Sequence, residues 1–187
     1  MIKNIYHRYL NIPVDPQIDL FNREKYDTAQ YAHIRLKEEE INPELARWFK
    51  QFNIEIYWYE AFYTPPNGGK LPVHTDSIQG ENYTKINWTY GAPGSKLIWW
   101  EPKSKEYITM NSTVFGVQYC TIDEAHCTKV YEAEINKPSL INAMQFHSTF
   151  NPTTEGRWTF TIQLSDTSIK NRVSWDDAIK RFEGIIL

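Results

Sequence analysis

The sequence predicts a mainly β fold, a sandwich or a barrel, with helices at its two ends. Between Ile54 and Ser165 the chain shows short runs of β-branched and aromatic residues, punctuated by turn signals such as Pro65-Pro66-Asn67-Gly68-Gly69 and Gly91-Ala92-Pro93-Gly94. Its last run alternates with period two. Helical signals, by contrast, cluster before residue 54 and after residue 166.

The expected strands are 54–63, 72–76, 84–90, 96–101, 106–109, 113–119, 128–134, 138–142, 144–150 and 157–165. So many short strands in about 110 residues suit a sandwich or barrel. Asn42-Pro43 places a cap and then a proline at the first helical position, leading into Glu44 to Lys50. Ser174 likewise caps Trp175 to Phe182, with Asp176 and Asp177 in the first turn and Gly184 as the expected stop. This divides a single expected domain, 1–187, into N-terminal helical support (1–53), a β core (54–166) and a C-terminal helix (167–187).

The strand at 157–165 is the most informative. Trp158, Phe160, Ile162 and Leu164 share one face; Arg157, Thr159, Thr161, Gln163 and Ser165 share the other. In a plain sandwich the polar face would meet solvent. In a barrel with a wet cavity it would look inward, with helices covering the apolar face.

Composition narrows the functional classes. The 187 residues include 7 Trp, 12 Tyr and 9 Phe, so the core and any pocket should be rich in rings. A net charge of −3 argues against a dedicated nucleic-acid binder, which needs clustered Lys and Arg. No run approaches the roughly twenty apolar residues of a membrane helix, and Met1-Ile-Lys-Asn lacks the apolar stretch of a signal peptide; a cytoplasmic protein is expected. Cys120 and Cys127 are too few for a disulfide framework and are expected as reduced thiols.

Candidate chemistry begins at His74-Thr75-Asp76. Residues two apart on a strand project to one side, so an imidazole and a carboxylate leave it in parallel and can grip one metal ion. His147 shares polar parity with Gln145 and Thr149, opposite Phe146 and Ser148. Two histidines and one carboxylate on one side of an octahedron suit non-haem iron(II) and leave three positions open. Arg157 follows His147 across the turn signal 151–156. A hairpin there would put both residues in one cavity, where a planar guanidinium binds a carboxylate through two parallel hydrogen bonds and Thr159 adds a hydroxyl. His7, His33 and His126 lack such partners and are read as surface or core residues.

Pro72-Val73-His74-Thr75-Asp76, the distal His147 and Arg157-Trp158-Thr159 resemble the His-x-Asp…His…Arg-x-Ser/Thr pattern of the iron(II)/2-oxoglutarate-dependent oxygenases. The resemblance covers about residues 54–166. It implies a double-stranded β-helix (a jelly roll, cupin-like), with the first two ligands on the second core strand, His147 on the seventh and Arg157 on the eighth. It further implies Fe(II) on His74, Asp76 and His147, with 2-oxoglutarate as co-substrate held by Arg157 and Thr159. Dioxygen would hydroxylate a small-molecule or peptide substrate, an amino-acid side chain by the nearer likeness to prolyl hydroxylases. Tyr63 resembles a tyrosine that supports the co-substrate carboxylate in that subgroup, and Asn87 a residue beside the chelated co-substrate. The Gly-Gly-Glu-Thr signature of the subgroup is replaced here by Leu97-Ile98-Trp99-Trp100-Glu101-Pro102. Two other functions use the same scaffold: a cupin-like metal enzyme without an oxidative step, and a jelly-roll binding module without catalysis. Ser77 to Asn82, with Gly80, is polar enough to form a lid.

Overall fold

The computed structural model describes residues 4–18, 30–77, 84–113 and 116–187. The stretch at 78–83, within which a lid is expected, lies outside the described residues. Strands run, in chain order, β1 (His7–Tyr9), β2 (Ala32–Arg35), β3 (Ile54–Thr64), β4 (Gly69–Lys70), β5 (Val73–His74), β6 (Thr84–Tyr90), β7 (Lys96–Pro102), β8 (Thr109–Ser112), β9 (Gln118–Ile122), β10 (Cys127–Ala133), β11 (Ser139–Asn142), β12 (His147–Asn151) and β13 (Arg157–Asp166). Helix α1 covers Pro43–Lys50 and α2 covers Trp175–Arg181.

They form two sheets. One has the order β1-β11-β6-β13-β3-β2; the other runs β10-β7-β12-β5-β9-β8, with β4 paired to β12. The antiparallel pairings are nested: β3 with β13, β5 with β12, β6 with β11 and β7 with β10. A long ribbon that pairs its outermost strands together, then each inner pair in turn, and is wound so that successive pairs alternate between sheets, is a jelly roll. The fold is therefore a double-stranded β-helix, with the β8–β9 hairpin added at one sheet edge.

The choice between sandwich and cavity-bearing barrel is decided on β13, where every residue is buried. Phe160, Ile162 and Leu164 join Leu45 and Phe49 of α1 and Trp175 and Ala178 of α2 in the main core, while Arg157, Thr159 and Thr161 line an internal cavity. Both helices are capped as their sequences predict. The Asn42 side chain accepts from Glu44 N at 3.0 Å, and the Ser174 hydroxyl accepts from Asp177 N at 3.2 Å. Phe182, fully buried, meets Phe49 and Phe52 edge-on at 6.1 and 5.1 Å.

Four local expectations differ from the structure. Gly184 does not end α2 in a left-handed turn; a 3-10 turn, Glu183–Ile185, carries the chain through it, since Ile185 and Ile186 pack on the core and Leu187 N donates to Tyr9 O at 3.0 Å. The N-terminal 53 residues are not helical support alone, because β1 and β2 form both edges of the six-stranded sheet. Strands expected at 106–109 and 113–119 lie further along, at β8 and β9, because Ser104 accepts from Glu106 N and turns Lys105–Tyr107 into a 3-10 segment. Finally, β12 and β13 do not make a hairpin. Asn151 draws the intervening turn together, donating to Glu155 O at 2.7 Å and accepting from the Thr153 hydroxyl at 2.8 Å, and the chain crosses to the opposite sheet.

Cys120 and Cys127 are free and buried. No helix among the described residues is long and apolar enough to cross a membrane. His126 stacks on Tyr107 at 3.8 Å and His33 pairs with Glu60 at 3.0 Å. His7 is only 4% exposed and stacks on Trp99 at 5.6 Å. Burial, reinforced by the neighbouring Arg8, holds its pKa down to about 4. Between pH 6.5 and 4 the unfolded chain therefore binds a proton that the folded chain refuses, so stability falls as pH drops through that window. Urea unfolding at pH 7 and 4.5 should show a loss that is about 2 kcal/mol smaller in His7→Phe, the buried His147 contributing the same remainder to both proteins. Equal losses in the two proteins would refute the assignment.

Candidate metal centre and anion pocket

The sequence places two imidazoles and a carboxylate where strand ends from one sheet converge. His74 ends β5, His147 begins β12, and the two are direct register partners. Their rings lie 4.5 Å apart. Asp76 is not on the strand itself, since β5 stops at His74; the bend that follows nevertheless turns its carboxylate to both rings. Oδ1 lies 3.5 Å from His74 Nε2 and Oδ2 lies 3.7 Å from His147 Nε2. Thr75, between the ligands, is buried and anchors the bend, its hydroxyl donating to Ser77 O at 2.5 Å and accepting from Cys120 N at 3.3 Å.

One candidate ligand atom from each of His74, Asp76 and His147 falls within 4.8 Å of the others. Donors occupying neighbouring positions around an ion at about 2.1 Å stand roughly 3 Å apart, so small inward shifts suffice. Each imidazole is also presented the right way round. His74 Nδ1 lies 2.8 Å from Pro72 O and His147 Nδ1 lies 2.8 Å from Gln145 O. A carbonyl only accepts, so both Nδ1 atoms carry the proton and both Nε2 lone pairs face the carboxylate.

Electrostatics favour the same state. Burial pushes the His147 pKa down to about 4, keeping the ring neutral and able to ligate. Burial pushes the Asp76 carboxyl up, but its neighbours, the Lys85 ammonium foremost, outweigh it and hold it well below the usual carboxylate range. Lys85 Nζ stands 3.5 Å from Asp76 and 3.4 Å from Glu60. Glu60 is likewise pulled down to about 2, against its burial, by Lys85 and by a hydrogen bond from His33.

Across the cavity stands Arg157, 2% exposed, at the start of β13. Nη1 donates to the Thr159 hydroxyl at 2.5 Å and Nη2 to the Thr89 hydroxyl at 3.2 Å, while Nε has no partner. Among the described residues no carboxylate pairs with this guanidinium. Desolvation lowers its pKa to about 10, so it stays charged at neutral pH in a buried place. The Thr64 hydroxyl, another cavity-lining group, is also buried without a partner. The arrangement is a preformed pocket for an anion, on the wall facing the metal ligands.

Of the residues singled out from sequence, His74, Asp76, His147, Arg157, Thr159 and Asn87 line one cavity. Asn87 is also satisfied locally, its Oδ1 accepting from the Thr161 hydroxyl at 2.6 Å. Tyr63 is not brought there. It pairs in register with Trp158, packs against that ring at 5.0 Å in the main core, and leaves Phe62 and Thr64, of the opposite parity, facing the cavity. Tyr63 also fills the space over Gly156, where a Cβ would come within 2.4 Å of its ring. The sequence reading missed Lys85, Glu60, Thr64 and Thr89 as site residues. Lys85 and Thr89 were visible by parity with Asn87, and Glu60 as a lone charge within an aromatic strand.

No protein-family model matches the chain, and no curated protein matches it. Solved structures do resemble it. One is a recombinant oxalate oxidase in complex with glycolate, with 12% identity and a TM-score of 0.34 over 80% of this chain and 58% of that one. Another is the apo form of the non-heme monooxygenase ThoJ, with 16% identity and a TM-score of 0.36 over 68% of this chain and 55% of that one. A third is an acetylacetone dioxygenase from Acinetobacter johnsonii, with 14% identity and a TM-score of 0.31 over 85% and 83% of the two chains. This chain spans little more than half the length of the first two.

Proposed function

We propose that the chain is an iron(II)/2-oxoglutarate-dependent dioxygenase that hydroxylates a small-molecule or peptide substrate. The reading rests on one observation above all: a buried guanidinium without an acid partner shares a cavity with a two-histidine, one-carboxylate group. A metal enzyme with no carboxylate co-substrate would have no use for an uncompensated buried cation there. A binding module without metal would have no use for two imidazoles held with their lone pairs facing one carboxylate.

In this reading His74, Asp76 and His147 would hold Fe(II), and Arg157, with the Thr159 hydroxyl, would hold the far carboxylate of 2-oxoglutarate, with Asn87 lining the same cavity. Bound iron supplies the activation of dioxygen. One oxygen atom enters the substrate as a hydroxyl and the other enters succinate as the co-substrate loses carbon dioxide, so R–H, O2 and 2-oxoglutarate become R–OH, succinate and CO2. The chain's own residues orient the ligands and set their charge: the carbonyls of Pro72 and Gln145 fix both rings, and Lys85 keeps Asp76 ionised.

Anaerobic titration with Fe(II) and then 2-oxoglutarate should produce the weak visible charge-transfer band of the chelate, and air should then release succinate. Folded protein that binds Fe(II) but never shows the band would overturn the proposal.

A further inference from the structure

Orphaned polar atoms gather at the two ends of one sheet face. Along the inner side of β13, Arg157, Thr159, Thr161 and Gln163 succeed one another, opposed on β3 by Thr64, Phe62, Glu60 and Trp58. On β6, Thr89, Asn87 and Lys85 face the last three of the β13 residues. Six residues of strand separate Arg157 from Gln163, roughly 20 Å. At the Arg157 end, Arg157 Nε and Thr64 Oγ1 are buried without partners; at the other, Trp58 Nε1 and Gln163 Oε1 are. Gln163 is 5% exposed. Such atoms cost stability unless a ligand or ordered water satisfies them. The first pair belongs to the anion pocket, and the second pair has no occupant yet assigned.

The far end has its own chemistry. It offers two acceptors, Gln163 Oε1 and the Glu60 carboxylate, and two donors, Trp58 Nε1 and the Lys85 ammonium. Glu60 and Lys85 are 4% and 6% exposed. Lys85 lies 3.4 Å from Glu60 and 3.5 Å from Asp76. Charge balance narrows the ligand. In the loaded oxygenase site a divalent ion and Arg157 would be cancelled by Asp76 and a dicarboxylate, Lys85 is cancelled by Glu60, and Arg35, 3.3 Å over the Trp58 ring, is exposed and screened by water. A ligand with net charge would therefore be buried uncompensated, at a cost of several kcal/mol per ion. A ligand that carries one ammonium and one carboxylate matches both pairs and keeps the balance.

We infer that the substrate is a free, zwitterionic amino acid, its ammonium on Glu60 and Gln163 and its carboxylate on Lys85 and Trp58, beside the metal ligands. This rests on the oxygenase reading and selects the free amino acid over a residue within a peptide, which lacks both charged ends.

The test measures succinate release with each of the twenty free L-amino acids and with their N-acetyl and carboxamide derivatives, after the charge-transfer band has been sought. At least one free amino acid should stimulate release, and blocking either end should cut the stimulation at least tenfold. A band without stimulation by any free amino acid, or equal stimulation by blocked forms, overturns this inference and leaves the oxygenase reading standing. Should no band form, thermal shifts of the same protein decide instead: stabilisation by a free amino acid but not its blocked form upholds the zwitterion site, and no stabilisation overturns it. Gln163→Leu supplies a second readout. Removing an orphaned acceptor should raise the melting temperature of the ligand-free protein while raising the KM for the stimulating amino acid at least tenfold. A lowered melting temperature would show that the amide is structural.

Discussion

His147→Ala is expected to abolish succinate formation and to weaken Fe(II) binding at least a hundredfold. Loss of a group that merely orients a ligand typically weakens metal binding about 10- to 100-fold, and loss of a ligand should do no less. His147 is the most interpretable of the three to remove. It is neutral in the folded protein, so its deletion strands no charge, and its Nδ1 partner is a backbone carbonyl that relaxes with little strain. Removing Asp76 would instead leave Lys85 facing Glu60 alone and perturb a buried ion-pair network, mixing a folding defect with a metal defect. Calorimetric Fe(II) titration under anaerobic conditions, paired with a thermal melt, separates the two. Full turnover by a normally folded His147→Ala protein would refute the ligand assignment.

The parts of this site that were legible in sequence are those for which parity and order suffice. His74 and His147 sit on facing strands because each is the polar member of an alternating run, and alternation survives whatever the sheets do around it. The same parity on β13 sorted its core side from its cavity side correctly, although only the structure shows which way the polar side looks. What parity could not give is the sheet to which a strand belongs. The turn at 151–156 reads locally as a hairpin, yet the long-range pairings of β12 with β5 and of β13 with β3 pull the two strands into different sheets. Tyr63 shows the opposite weakness. It was placed by likeness to a family position, and its own parity, opposite to that of Phe62 and Thr64, already argued for the core. β1 and β2 were missed because His7–Tyr9 and Ala32–Arg35 are too short to show a period; each is held by the edge it completes.

Arg157→Leu should move two measurements in opposite directions. In the metal-free protein the guanidinium is buried with the Thr159 and Thr89 hydroxyls as its partners among the described residues, and desolvation lowers its pKa to about 10. A cationic group whose folded pKa is depressed destabilises the fold wherever it is charged in both states. Here that penalty is complete at neutral pH, on the order of 3 kcal/mol. Leucine removes the charge, so the variant without ligands should unfold at a higher temperature than the parent at pH 7. The requirement for 2-oxoglutarate should rise by a hundredfold to a thousandfold, because truncating one partner of a buried charge pair costs about 3–4 kcal/mol of affinity. Arg157→Lys separates charge from geometry: a point charge keeps the attraction but loses the planar fork, so its 2-oxoglutarate KM should fall between the two. A residue that served only as a structural prop would behave otherwise, with leucine lowering the melting temperature and leaving the KM unchanged. That pattern would remove the anion pocket from the site, and with it the reason to prefer a 2-oxoglutarate enzyme over a metal enzyme of another kind.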